Sequence, residues 1–465
     1  MTTSLKSMSD QARALKERGQ LDQAIELFAK AAAAYPESAV AEHNLASVLG
    51  DAGRAGEAEL HIRRAFKKGL NAPESWLVLA RALLAQARLD DAHEAFVTAI
   101  KLNPGLLDAQ YELAQLVWMT TGDSAAALAP IEATINTYPD TRDLYATKAQ
   151  VLMYTQGAEA AFGFVSSALE RWPDDARLLK SGIDAATMSG EPQAAMEMSE
   201  RLLALQPGRQ SAKVFRAYAL LAAGRAEEAL PIAEAMCAAR PTDQHALGLL
   251  AICCRLVGDR RYRELYNYDQ LVRPYTLATP EGWSSLGEYL SDLGDALRAR
   301  HPFKTHPFAN SEEGGSKIAD VLELDDPAIK AFRQALGPPV EQHLEYLGTG
   351  TDPVRSRNTG RWKIDGIWSV WLRPNGFHHD HVHPGGWLSS ACYIELPDEV
   401  DAGSQEGWIK FGEPGPVTSP KLEAEHVVKP EPGMLVLFPS YMWHGTIPFS
   451  GDKPRLTVAL DIVPA

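Results

Sequence analysis

Apolar residues recur three and four positions apart through the first 270 residues, in stretches such as LDQAIELFAKAAAAYP (21–36) and LDDAHEAFVTAIKLNP (89–104). That spacing lays them along one face of an α-helix and predicts amphipathic helices that bury this face against neighbours. The stretches end at Pro36, Pro104, Pro139, Pro173, Pro207 and Pro241, with successive gaps of 68, 35, 34, 34 and 34, the first being two units of 34. Gly19, Gly53, Gly122, Gly190, Gly224 and Gly258 keep the same beat, seventeen residues ahead of a phrase end or of the position where one is due. A turn between two helices needs a residue that tolerates positive φ at that point.

A helix–turn–helix unit of 34 residues is the signature of the tetratricopeptide repeat. Ala24, Phe28 and Pro36, and again Ala92, Phe96 and Pro104, resemble that family's small–large–proline pattern. The match spans roughly residues 5 to 270 as about seven units. It is degenerate at Ala87, which replaces the turn glycine, and at Asn71-Ala72, where a proline is due. The resemblance implies an all-α solenoid over 1–270 whose concave face binds a protein or peptide partner or serves self-association. No constellation of catalytic residue types stands out in this half, which points to recognition and not chemistry.

Beyond about residue 275 the period stops. Thr279, with Pro280 at the first helical position, predicts a helix carrying Leu286, Leu290, Leu293 and Leu297 on one face. A second helix is expected from Asp326-Pro327 to Gly337-Pro338-Pro339. The preceding RPYTLATPEG (273–282) carries two prolines and reads as a linker between separable halves, and HPFANSEEGG (306–315) reads as a surface loop. From about 365 the pattern changes to short runs rich in Val, Ile, Trp, Tyr and Phe: GIWSVWLR before a PNG turn, then WLSSACYIEL, GWIKFG, EHVVKP, GMLVLFPS and RLTVALDIV. Such a series predicts a jelly-roll barrel over about 365–465, within a second domain spanning 275–465 that includes the support helices.

Composition narrows the function classes. The net charge of −15, without Lys/Arg clusters, argues against a nucleic-acid partner. The four cysteines, Cys237, Cys253, Cys254 and Cys392, form no metal-type pair and read as buried thiols of a reducing compartment. No run of about twenty apolar residues is long enough to span a membrane, and the N-terminus has no signal-peptide core. A cytoplasmic protein is expected.

Chemistry concentrates in FHHDHVHPGGW (377–387), which packs four histidines and an aspartate into His378–His383 between two predicted strands. Two pairs have the i, i+2 spacing that shares one face of an extended segment, namely His378 with Asp380 and His381 with His383. His444 follows the apolar strand 434–438, and Arg455 and Thr457 share one face of the last strand. An arginine inside a barrel is costly unless it meets an anion, and a guanidinium fork beside a hydroxyl suits a carboxylate.

A close ligand pair, a third histidine about sixty residues on and an Arg-x-Thr eleven later resemble the Fe(II)/2-oxoglutarate-dependent oxygenases. HVHPGGWLS and PEPGMLVLFPSYMWH resemble in particular the branch appended to tetratricopeptide repeats. The resemblance implies a double-stranded β-helix hydroxylase using iron, 2-oxoglutarate and dioxygen. His444 is then the distal ligand, Arg455 grips the far carboxylate of 2-oxoglutarate with help from Thr457, and Tyr393 lines the same pocket. The wider family uses His-x-Asp or His-x-Glu, which His378 and Asp380 supply. The resembling branch shows His-x-His-Pro, which favours His381 and His383 and leaves His378, His379 and Asp380 to orient the ligands. Two rival readings are a three-His cupin-type dioxygenase without 2-oxoglutarate, and a repeat scaffold whose barrel binds metal without turnover; both leave Arg455 unexplained.

Overall fold

The computed structural model describes residues 4–465. Helices alternate with tight turns from Leu5–Glu17 to Gln244–Val257, as the period predicts. The phrase-ending prolines act through the residue before them, which a following proline forces out of the helical region. Tyr35, Asn103, Tyr138, Trp172, Gln206 and Arg240 accordingly close their helices with φ between −126° and −143°. The small–large positions fill the core, with Ala24, Phe28, Ala92 and Phe96 all buried. Ala87 takes the turn-glycine conformation itself, at φ 57°.

The chain forms two compact units, one ending at Thr155 and the other taking in Met119–Thr121 and Gln156–Ala465. The second therefore holds the repeat helices from Ala158–Arg171 onward together with the β domain. Within it, short helices Arg261–Leu265 and Tyr268–Leu271 lead into the first strand. The strands are β1 (Arg273–Thr276), β2 (Glu312–Ala319), β3 (Trp362–His378), β4 (Leu388–Glu395), β5 (Ile409–Phe411), β6 (His426–Val428), β7 (Met434–Pro439), β8 (His444–Thr446) and β9 (Arg455–Pro464). They make a six-stranded antiparallel sheet ordered β1-β7-β4-β9-β3-β2 and a three-stranded sheet ordered β6-β5-β8, the jelly-roll arrangement.

Several local expectations change. Residues 273–276, read as linker, are edge strand β1 paired with β7. The expected surface loop at 306–315 gives its last residues to β2, which lies along β3 so that Glu312 faces His378 across the ladder. The PNG turn is a bend inside β3, with Asn375 at φ 65° and its N–H bonded to Phe449 O. The first support helix begins at Leu286 and not at Pro280, because Ser285 caps it by accepting from Glu288 N–H while the Glu288 carboxylate reaches back to Ser284. The second starts as expected on the Asp326 cap but runs through Pro338-Pro339 to Leu347. Its apolar stripe of Leu336, Val340, Leu344 and Leu347 continues past the prolines and stays buried, so packing outweighs the missing donors.

Candidate metal centre

Three of the predicted histidines converge. His381 and His444 pair as an isolated antiparallel bridge, each N–H donating to the other's carbonyl at 3.0 and 3.1 Å. His383 is tied to the end of β7 by its N–H to Ser440 O at 2.9 Å. One donor atom from each of the three lies within 4.8 Å of the others, and among the described residues no other such group of histidine, cysteine and carboxylate side chains occurs. The second glycine of PGG has a steric reason: a Cβ on Gly386 would lie 2.3 Å from Ser440 Oγ, so glycine there lets the His383 turn close against Ser440 at the end of β7.

Each imidazole is fixed by its Nδ1, which must be the donor because its partner is an oxygen acceptor. His381 donates to His379 O at 2.8 Å, His444 to Met442 O at 2.8 Å, and His383 to the Asp461 carboxylate at 2.7 Å. All three therefore present an Nε2 lone pair. The Nε2 atoms of His381 and His383 face each other at 3.0 Å. Two nitrogens at adjacent corners about 2.1 Å from one ion would be about 3 Å apart, so the donor set fits a metal ion. Burial, reinforced by His383, holds His381 down to about 3, and burial likewise keeps His444 well below its ordinary value. Both rings are neutral and able to coordinate at physiological pH.

The alternative pair does not join this cluster. The His378 ring points to Ser311 Oγ at 3.1 Å, and the Asp380 carboxylate pairs with Lys410 Nζ at 2.8 Å. Burial pushes Asp380 up to about 6, against the pull of Lys410. Asp380 was expected to orient a ligand, but its carboxylate meets Lys410, and the carboxylate that meets a cluster imidazole is Asp461, which sequence reasoning missed. Its signal was available, since a carboxylate stands in a largely apolar strand on the same face as Arg455 and Thr457. Asp461 is itself held by Ser389 Oγ at 2.7 Å, and Ser389 meets Ser440 Oγ at 2.8 Å. His379 is exposed and bonds Glu313 at 2.8 Å, although its carbonyl orients His381.

Arg455 is 2% exposed and, among the described residues, has no acidic partner. Its guanidinium donates to Thr446 Oγ1 at 2.9 Å and lies 5.1 Å from the centre of the Tyr393 ring. The fully buried Tyr393 hydroxyl lies beside the Arg455 guanidinium, and Arg455 Nε has no hydrogen-bond partner among the described residues. Burial lowers Arg455 and raises Tyr393, while each attracts the other's charged form. Thr446, two residues past His444 on β8, was also missed. Thr457 is buried on β9 and pairs in register with Tyr393 on one side and Val370 on the other. A buried cation beside a buried phenol offers donors for which a carboxylate has the acceptors. Trp368 stacks on His383 with centroids 5.4 Å apart, and Trp387 is core, its indole N–H on Val354 O at 2.9 Å.

Fold and site together define a repeat protein whose β domain carries an all-imidazole cluster and a buried arginine. Residues 366–461 match the family model described as "Putative 2OG-Fe(II) oxygenase". Residues 77–142 match the tetratricopeptide repeat, and 185–291 match "Psidin, N-terminal TPR repeats region". The chain thus carries tetratricopeptide repeats and a C-terminal domain of the 2OG-Fe(II) oxygenase type. Similar solved structures include YrrB, described as a TPR protein with an unusual peptide-binding site (19% identity over 38% of this chain and 90% of that one, TM-score 0.27). A tetratricopeptide repeat protein from Parabacteroides merdae (16%, 54% and 98%, TM-score 0.37) and pilF of Pseudomonas aeruginosa (20%, 46% and 96%, TM-score 0.32) are similar too. No curated protein gave a match. No helix among the described residues is long and apolar enough to cross a membrane.

Proposed function

We propose that this chain is an Fe(II)- and 2-oxoglutarate-dependent dioxygenase, a hydroxylase whose repeats recruit a protein or peptide substrate. The observation that carries the reading is Arg455, a buried guanidinium without an acidic partner among the described residues, joined through Thr446 to the strand that begins at His444. His381, His383 and His444 would hold iron through Nε2, with Nδ1 of each locked by its oxygen partner. When bound, iron would supply the centre at which dioxygen oxidises 2-oxoglutarate to succinate and carbon dioxide while a substrate C–H bond becomes C–OH. Arg455 would grip the far carboxylate, Tyr393 would donate its hydroxyl to the same anion, and Thr457 would lie beside them. Phe411 and Phe438, whose rings lie 6.2 and 4.5 Å from that of His444, are buried and exclude water from that side.

The all-imidazole donor set favours, as a second reading, a cupin-type three-His dioxygenase acting without 2-oxoglutarate, but that enzyme has no use for the Arg455 site. The deciding experiment supplies the purified protein with Fe(II) and 2-oxoglutarate under air and measures succinate. Iron-dependent succinate supports the proposal; iron uptake with no succinate and no affinity for 2-oxoglutarate would move the assignment to the second reading.

A further inference from the structure

The repeats and the metal centre meet inside the second compact unit through a buried set of hydrogen bonds. The indole N–H of Trp443 donates to the carbonyl of Gly248, in the helix Gln244–Val257, at 3.0 Å. The main-chain N–H of Trp443 donates to the Tyr266 hydroxyl at 2.9 Å, and that hydroxyl donates to Tyr441 O at 3.2 Å. Tyr441 returns the contact, its hydroxyl on Leu265 O at 2.9 Å. Arg255 holds Gly412 O at 2.8 Å, and Gly412 N–H in turn holds Trp443 O at 3.0 Å. Residues 441–443 are thereby fixed by backbone and side chain, and Met442 O in their midst is the acceptor that orients the His444 ring.

Gly248 makes this approach possible. A Cβ there would lie 3.1 Å from Tyr441 O, 3.2 Å from Trp443 Nε1 and 3.3 Å from Val382 Cγ1. Val382 is the residue between His381 and His383, so one helical position touches both segments that carry the imidazoles. A donor set of this kind works only when its rings are held to about half an ångström by the groups behind them.

We propose that Gly248 and Tyr266 are positioning residues of the metal centre, so that the last repeat sets the orientation of His444 and the seat of the His381–His383 pair. The assignment rests on reading the three histidines as metal ligands. Nothing in the 34-residue period marks Gly248, which lies inside a helix and away from the turn glycines.

The test uses the full-length protein and Co(II) as the probe, following its visible d–d absorption band and its affinity by titration. Tyr266→Phe removes one hydroxyl and leaves Trp443 N–H without its acceptor; Gly248→Ala adds one methyl against three neighbours. Each is expected to shift the band and weaken Co(II) about 10–100-fold. Gly163→Ala is the control, because a Cβ there meets nothing within 4 Å, and it should leave band and affinity unchanged. If Gly248→Ala fails to fold, Trp443→Phe removes the same indole donor without adding an atom to the helix, and the same band shift is expected. A band and affinity in Tyr266→Phe and Trp443→Phe identical to those of the unaltered protein would overturn the proposal. Failure of the unaltered protein to take up Co(II), or undiminished uptake by His444→Ala, would overturn the metal reading itself and this assignment with it.

Discussion

Asp461 accepts the Nδ1–H of His383, with its two oxygens 2.7 and 2.9 Å away, from the same strand that presents Arg455 six residues earlier. Alternation puts Arg455, Thr457 and Asp461 on one face of β9, so a single strand holds the His383 ring at one end and, in the proposed function, would offer the anion site at the other.

Removing that carboxylate tests its part directly. Asp461→Asn keeps the shape, but its amide can offer Nδ1–H only one weaker, neutral acceptor. Metal affinity is expected to fall about 10–100-fold, while 2-oxoglutarate affinity at saturating metal changes little. Titration of Fe(II) or Co(II) under anaerobic conditions reads the effect, and an unchanged affinity would remove Asp461 from the site.

His383→Ala and Asp380→Ala separate the two candidate ligand pairs. The first should abolish stoichiometric metal, since it deletes one of three donors. The second should retain it, since Asp380 is engaged with Lys410. Metal analysis of the two variants prepared side by side decides the matter; the opposite pattern would restore His378 and Asp380 as the proximal pair.

Arg455→Ala is expected to weaken 2-oxoglutarate by about 2–5 kcal/mol, the scale for truncating one partner of a buried charge pair. Metal content should be normal, because Arg455 is not a donor. The absorbance of the anaerobic Fe(II)–2-oxoglutarate complex measures this, and equal affinity in the variant would favour the dioxygenase that needs no 2-oxo acid.

His343 supplies a pH dependence remote from the metal. It is buried with Nδ1 against the Tyr275 hydroxyl at 3.0 Å, and burial holds it down to about 3 from the ordinary 6.5. Between those values the unfolded chain binds the extra proton, so this group's stability contribution is present above 6.5 and is lost as pH falls towards 3. His343→Gln should therefore gain on the parent by up to about 1.4 kcal/mol per pH unit below 6.5. Parallel urea titrations at pH 7 and pH 5 give the comparison; parallel losses in both proteins would rule the contribution out.

Ala87 holds a left-handed turn at φ 57° that costs a residue with a Cβ about 1–2 kcal/mol. Ala87→Gly gives up part of that gain in unfolded-state entropy, leaving a net stabilisation of roughly 0.5–1 kcal/mol. Chemical denaturation should show the midpoint rising, and a fall would mean that the turn carries no strain.

The sequence alone determined whatever depends on local period. Thirty-four-residue spacing, proline stops and turn glycines specify helical hairpins because each acts within a few residues of itself, and the short Val- and Ile-rich runs specify strands for the same reason. It also determined the kinds of group available for chemistry: a histidine cluster, a distant histidine and an arginine in a strand that should be buried. It left two ligand pairs open, because i and i+2 share a face whichever pair is meant. Tertiary structure decided which imidazoles converge, since that depends on the bridge between His381 and His444 across a barrel closed by residues far apart in the chain. It also supplied Asp461 behind His383, Thr446 under Arg455, and Gly248 against Val382 and Trp443. Each of these is a contact between segments whose sequences carry no mutual signal, so it comes into being only when packing brings the segments together.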